Sequence, residues 1–141
     1  IEMKLKGRRN DLLNAGLRYY DFIAKNVTIS GTEQEEIFKI SGNNEGLIVK
    51  VFDNKDGKEG RQIYQRTFIP IETFEITLSG LGGSDIFIIE EGISSSIKIN
   101  LRGGKGKDTY NIKGNLSNTI YDEKSDENVI ESKSNTRVKI K

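Results

Sequence analysis

Three stretches of the chain align without gaps: VTISGTEQEEIFKI at 27–40, ITLSGLGGSDIFII at 76–89 and INLRGGKGKDTYNI at 99–112. In each, an alternating apolar run ends at a glycine (Gly31, Gly80, Gly103), and an acid follows five residues later (Glu36, Asp85, Asp108). Two positions after the acid stands an aromatic ring (Phe38, Phe87, Tyr110), with an aliphatic residue two further on. A fourth, fainter copy has Ile120 before Asp122, then Glu127 and Val129. The period of two marks strands and the glycine marks a turn, so the repeat reads as strand, loop, strand. The copies start at 31, 80, 103 and 122, giving gaps of 49, 23 and 19 residues. The last two gaps suit one turn of a short solenoid, and the first leaves room for an insertion.

That insertion reads as a hairpin. Leu47 to Phe52 and Gln62 to Phe68 alternate as strands around the polar stretch 53–60, and the single proline, Pro70, marks the turn or edge that follows. At the other end, Leu5, Leu12, Leu13, Leu17, Tyr20 and Ala24 recur at helical spacing, which predicts a helix from about Lys4 to Lys25. The expected fold is therefore mostly β. It is a short β-solenoid or β-roll-like repeat domain over 27–141, with an inserted hairpin, preceded by an N-terminal connector α-helix over 1–26.

Composition narrows the chemistry. The 141 residues include no cysteine and no histidine, which removes disulfides, thiol nucleophiles and imidazole bases. With 22 basic and 21 acidic side chains, the net charge of +1 creates no global field for nucleic acid or an anionic membrane. No apolar run is long enough to span a bilayer as a helix. The first residue is Ile1, so further domains upstream are expected. Two acids facing each other across a cleft would support a hydrolase, but no spacing in the sequence places such a pair. Gly106-Lys107-Asp108 breaks the phosphate-loop pattern, and Lys55 occupies a ligand position in the EF-hand-like start at Asp53.

Gly103 to Asn111, GGKGKDTYN, satisfies G-G-x-G-x-D-x-U-x and resembles the calcium-binding nonapeptide of RTX, or haemolysin-type, β-rolls. The second copy keeps Gly80, Gly83 and Asp85 but has Leu81 where a glycine is expected. The resemblance implies calcium held between loops one turn apart by glycine-loop carbonyls and aspartates. The expected ligand positions are Gly80, Gly83, Asp85, Gly103, Gly104, Gly106, Asp108, Asp122 and Asp126, and a single site would lie between loops 80–85 and 103–108. Lys105 and Lys107 oppose a cation there. The other reading makes Asp85 and Asp108 acceptors for backbone N–H groups in tight turns. In family members the nonapeptides run in tandem with about 18 residues per turn, so the wider spacing here is a departure.

The order of the chain, from Arg8-Arg9-Asn10-Asp11-Leu12-Leu13 through Val27–Thr32, the hairpin, Tyr64–Phe68 and Gly80–Phe87, also resembles one linking region. That region lies between the phosphatase domain and the C-terminal barrel of outer-membrane calcineurin-like metallophosphoesterases. The metal ligands of that family include histidine, so no catalytic residue carries over. The resemblance implies a non-catalytic accessory domain, in the cell envelope or secreted, whose partners are the neighbouring domains of a larger chain. The rival expectation is a protein- or glycan-binding surface module, for which Tyr64, Phe68 and Tyr110 would form an exposed patch.

Overall fold

The computed structural model describes residues 25–42, 45–123, 127–132 and 136–140. The helix expected before residue 25, and Asp126, lie outside them. The described chain is mostly β: eleven strands in two sheets. They are β1 (Asn26–Ser30), β2 (Glu36–Gly42), β3 (Leu47–Lys55), β4 (Lys58–Phe68), β5 (Glu75–Ser79), β6 (Ile86–Ile89), β7 (Lys98–Arg102), β8 (Thr109–Ile112), β9 (Asn118–Asp122), β10 (Val129–Ser132) and β11 (Thr136–Ile140).

The first sheet has the order β1-β5-β7-β9-β11 and every pair in it is parallel. The second runs β10-β8-β6-β2-β3-β4, parallel up to β2 and antiparallel through β3 and β4. Outside the hairpin the chain alternates between the sheets, one strand in each, and each such pair of strands forms a rung. The three aligned segments are β1-loop-β2, β5-loop-β6 and β7-loop-β8, so the repeat in sequence is a repeat in space. Register is kept throughout: Ile29, Leu78, Leu101, Ile120 and Val138 form one row, and Phe38, Phe87, Tyr110 and Ile130 form another.

Period-two alternation then decides the core. A one-residue slip would turn every apolar side chain outward, so the repeated pattern pins the register. One cluster joins Ile76, Leu78, Ile99, Leu101 and Ile120 of the first sheet to Phe38, Ile40, Phe87, Ile89, Tyr110 and Ile112 of the second. The aromatic row stacks: Phe38 and Phe87 lie 4.9 Å apart between ring centroids at 10°, and Phe87 and Tyr110 lie 5.0 Å apart at 7°. Parallel in-register strands are about 4.8 Å apart, so identical positions on successive rungs leave the rings in face-to-face contact.

The hairpin is tighter than the polar stretch 53–60 suggests. Strands β3 and β4 run on to Lys55 and Lys58, and the turn is only Asp56-Gly57, with φ of 54° and 87°. Two positive φ values match the twist of a two-residue hairpin, for which Asp-Gly is a favoured pair. Pro70 sits in a turn closed by Glu72 and Thr73 N–H groups, both donating to Ile69 O. Phe68 and Tyr110 are fully buried, so the aromatic surface patch expected of a binding module does not form from these rings.

Phe87 has a stacked ring on both sides. Phe87→Ala is expected to cost about 3–5 kcal/mol, and Phe87→Leu, which refills most of the volume, clearly less. Urea unfolding of the two variants checks this; equal losses would mean that the ring stack, and not the filled volume, carries the stabilisation.

Candidate functional site

The repeated glycines and acids converge along one edge of the fold, where each first-sheet strand turns into its second-sheet partner. In three of the four rungs the residue at or just before the start of the second strand donates its backbone N–H to a side chain. Its acceptor is the side chain at the same position one rung further on. Glu36 N donates to Asp85 Oδ1 at 2.9 Å, Asp85 N to Asp108 Oδ1 at 2.9 Å, and Asp108 N to Asn128 Oδ1 at 2.8 Å. Asp85 and Asp108 are completely buried and Glu36 nearly so. Glu36 accepts from Thr32 N at 3.1 Å and from the Thr32 hydroxyl, and so closes its own loop.

This row explains the glycine five residues before each acid. A Cβ on Gly31 would strike the Glu36 carboxylate, and one on Gly80 would strike that of Asp85, both well under 3 Å. At Gly103 it would meet Asp108, the Tyr110 hydroxyl and Asp122 together. On the next rung the glycine position is taken by Asp122, whose Oδ2 accepts from the Tyr110 hydroxyl at 2.5 Å. Burial, and then that hydrogen bond, push the phenol upward, so Tyr110 stays protonated.

The loops between glycine and acid are stacked directly on one another. Lys105 N donates to Leu81 O at 3.0 Å, and Gly82 N reaches Thr32 O at 3.5 Å. Gly104 and Gly106 have φ of 78° and 101°, and a Cβ on either would press into the carbonyl of Leu81 or Gly83 on the neighbouring loop. Leu81, in the position matching Gly104, also has a positive φ of 69°, an arrangement costly for a side chain with a Cβ.

Calcium needs six to eight oxygens around one centre. Asp85 and Asp108 instead turn inward, each spending Oδ1 on a backbone amide. The loop carbonyls face the next loop at contact distance, and Lys105 and Lys107 sit among them. Asp122 serves Tyr110 and the Glu123 amide. Arranged this way, Gly80, Gly83, Gly103, Gly104 and Gly106 act by letting loops approach, and the carboxylates act as hydrogen-bond acceptors. The carboxylate oxygens engaged here point to backbone amides of neighbouring loops and not to one shared centre. Among the described residues no group of three or more acids is placed to share a metal ion.

Reading the sequence assigned Glu127 to the fourth acid position, but Asn128 holds it, because the last loop is one residue longer. An amide oxygen just ahead of the apolar pair Val129-Ile130 was the available signal. Asp85 itself is electrostatically expensive. Burial above all pushes its carboxyl up to about 8, the nearby charges of Asp108, Glu36 and Glu35 add to this, and the Glu36 amide pulls the other way. Its Oδ2 is buried with no hydrogen-bond partner.

An acid whose folded pKa lies above its unfolded value stabilises the fold fully below the unfolded pKa. That contribution is lost as pH rises through the folded one. Unfolding free energy is therefore expected to fall from about pH 4 to pH 8, by up to about 1.4 kcal/mol per pH unit, and then to level off. Asp85→Asn keeps an oxygen acceptor, as Asn128 does, and is expected to flatten that dependence and raise the melting temperature above pH 7. An unchanged pH profile in the variant would show that Asp85 is ionised in the fold. In the loops, Gly104→Ala is expected to cost several kcal/mol, whereas Leu81→Gly relieves a positive φ at a cost in chain entropy and leaves stability unchanged or improved. Thermal melts of the pair test this.

Set against known proteins, the chain matches no family model, no curated protein and no solved structure.

Proposed function

We propose that this chain is a non-catalytic structural domain: a short β-solenoid of the roll type with one inserted hairpin, acting as a rigid spacer between domains of a larger protein. The observation that carries this is the row Glu36, Asp85, Asp108 and Asn128, which links four rungs by three side-chain to backbone hydrogen bonds, two of them buried and the last half-buried. Four strand spacings across the first sheet amount to about 19 Å of rigid length. Two aspartates and several glycines of the RTX-like pattern are retained, and they support turns and amides. The calcium cage of that pattern is replaced by direct hydrogen bonding from rung to rung. The similarity to the region joining phosphatase and barrel in outer-membrane phosphoesterases supports a place in the cell envelope.

Melting curves with millimolar calcium and with chelator, on the wild type and on Asp108→Ala, test this reading. The expected result is one wild-type melting temperature in both conditions and a large fall in Asp108→Ala, which strips an acceptor from the buried Asp85 amide. A rise with calcium that Asp108→Ala abolishes would replace the hydrogen-bonded row by a metal site and overturn the proposal.

A further inference from the structure

The outer face of the first sheet carries a feature that a plain spacer does not need. In-register pairing puts Ser79, Arg102, Tyr121 and Lys139 in one row across β5, β7, β9 and β11. The adjacent row is Thr77, Asn100, Thr119 and Arg137. The Tyr121 ring lies between two cations: the Arg102 guanidinium is 4.4 Å from its centroid and the Lys139 ammonium 5.5 Å. Arg102, Arg137 and Lys139 are exposed, and none of them is in an ion pair among the described residues. By contrast, Lys39 on the other sheet is held by Glu59 and Glu90 at 2.8 and 3.2 Å. A concavity of about 410 Å³ opens beside the Tyr121 ring between Leu81, Arg102 and Lys139, with Glu123 the one exposed carboxylate on its rim among the described residues.

We propose that this face binds an acidic polysaccharide, one bearing carboxylate or sulfate groups. Arg102 and Lys139 stand two strands apart, about 10 Å, and Arg137 is two residues from Lys139, about 7 Å. Three unpaired cations at these intervals match a ligand with anionic groups repeated along a chain. Arginine can hold a carboxylate or sulfate through two parallel N–H bonds, and the Tyr121 ring between Arg102 and Lys139 holds the two cations at their spacing. The Thr77, Asn100 and Thr119 row supplies hydroxyl and amide groups for sugar hydroxyls, with Asn100 Nδ2 already oriented by Thr77 Oγ1 at 3.3 Å. The cationic patch is local, within a chain of net charge +1, which suits a sugar polymer better than the phosphate backbone of a duplex.

Titration calorimetry on the full chain, with polygalacturonate and with dextran sulfate, tests the inference. Neutral dextran and a DNA duplex serve as comparison ligands. At least one acidic polysaccharide is expected to bind. Binding should weaken about tenfold or more in R102S/K139S and in Tyr121→Ser, and should be unchanged in K50S/K58S, which removes the same charge from the other sheet. All substituted side chains are at least partly exposed, and circular dichroism confirms that each variant is folded. Absence of binding, equal losses in R102S/K139S and K50S/K58S, or binding to neutral dextran or duplex as tight as to the acidic polymers would each overturn it. None of these outcomes bears on the calcium-free melting expected of the spacer.

Discussion

Three successive rungs of this fold turn one backbone N–H away from solvent at the point where a loop becomes a strand, and an amide removed from water must have an acceptor. The side chain that supplies it reaches in from the neighbouring rung and needs a carbonyl-type oxygen on a short stem, which Asp and Asn provide. Seating that oxygen requires empty space beside the preceding strand end, hence Gly31, Gly80 and Gly103. Once seated, it brings the loops into contact, which in turn demands Gly104 and Gly106 at positive φ. The glycine-to-acid spacing, loop stacking and register are consequences of satisfying one hydrogen-bond donor per rung.

Burying a carboxylate here costs solvation, which is why the Asp85 carboxyl is shifted so far upward. Compensation comes from the packed rows on either side: the Phe38, Phe87 and Tyr110 stack, and the aliphatic rows of both sheets. Tyr110 joins the two systems, with its ring in the aromatic stack and its hydroxyl on Asp122. A tyrosine in the third copy, where the others have phenylalanine, coincides with an aspartate where the others have glycine. The two substitutions are one local solution.

Much of this was legible in the sequence because it repeats. Three gap-free copies disclose strand boundaries, inward rows and the glycine-acid pairing without any structure. The destination of the acids was less legible, since G-G-x-G-x-D specifies a loop and an inward carboxylate equally well whether the carboxylate meets a cation or an amide. The role as acceptor shows only in the partner amide at 2.9 Å on the neighbouring rung. Asn128 escaped because one added residue breaks the alignment where the copies are faintest. The extended hairpin was hidden by its polar composition, although Asp56-Gly57 is a turn that draws polar strands together. The cationic row on the outer sheet face was invisible for another reason: Arg102, Tyr121 and Lys139 are adjacent only through parallel pairing, and Lys139 lies beyond the last copy.

The row of buried acceptors has a direction. Every side chain serves the amide of the rung before it, never the one after, so a rung is completed only by its C-terminal neighbour. A chain delivered from its N-terminus onward would carry an unmet donor at its growing front until the following repeat arrived. Closure would then follow one rung behind that front, each new rung completing the one before it, like a ratchet set tooth by tooth. Loss of the final rung would strand the amide ahead of it, giving the molecule a weak end and a strong end from a repeat that is otherwise uniform.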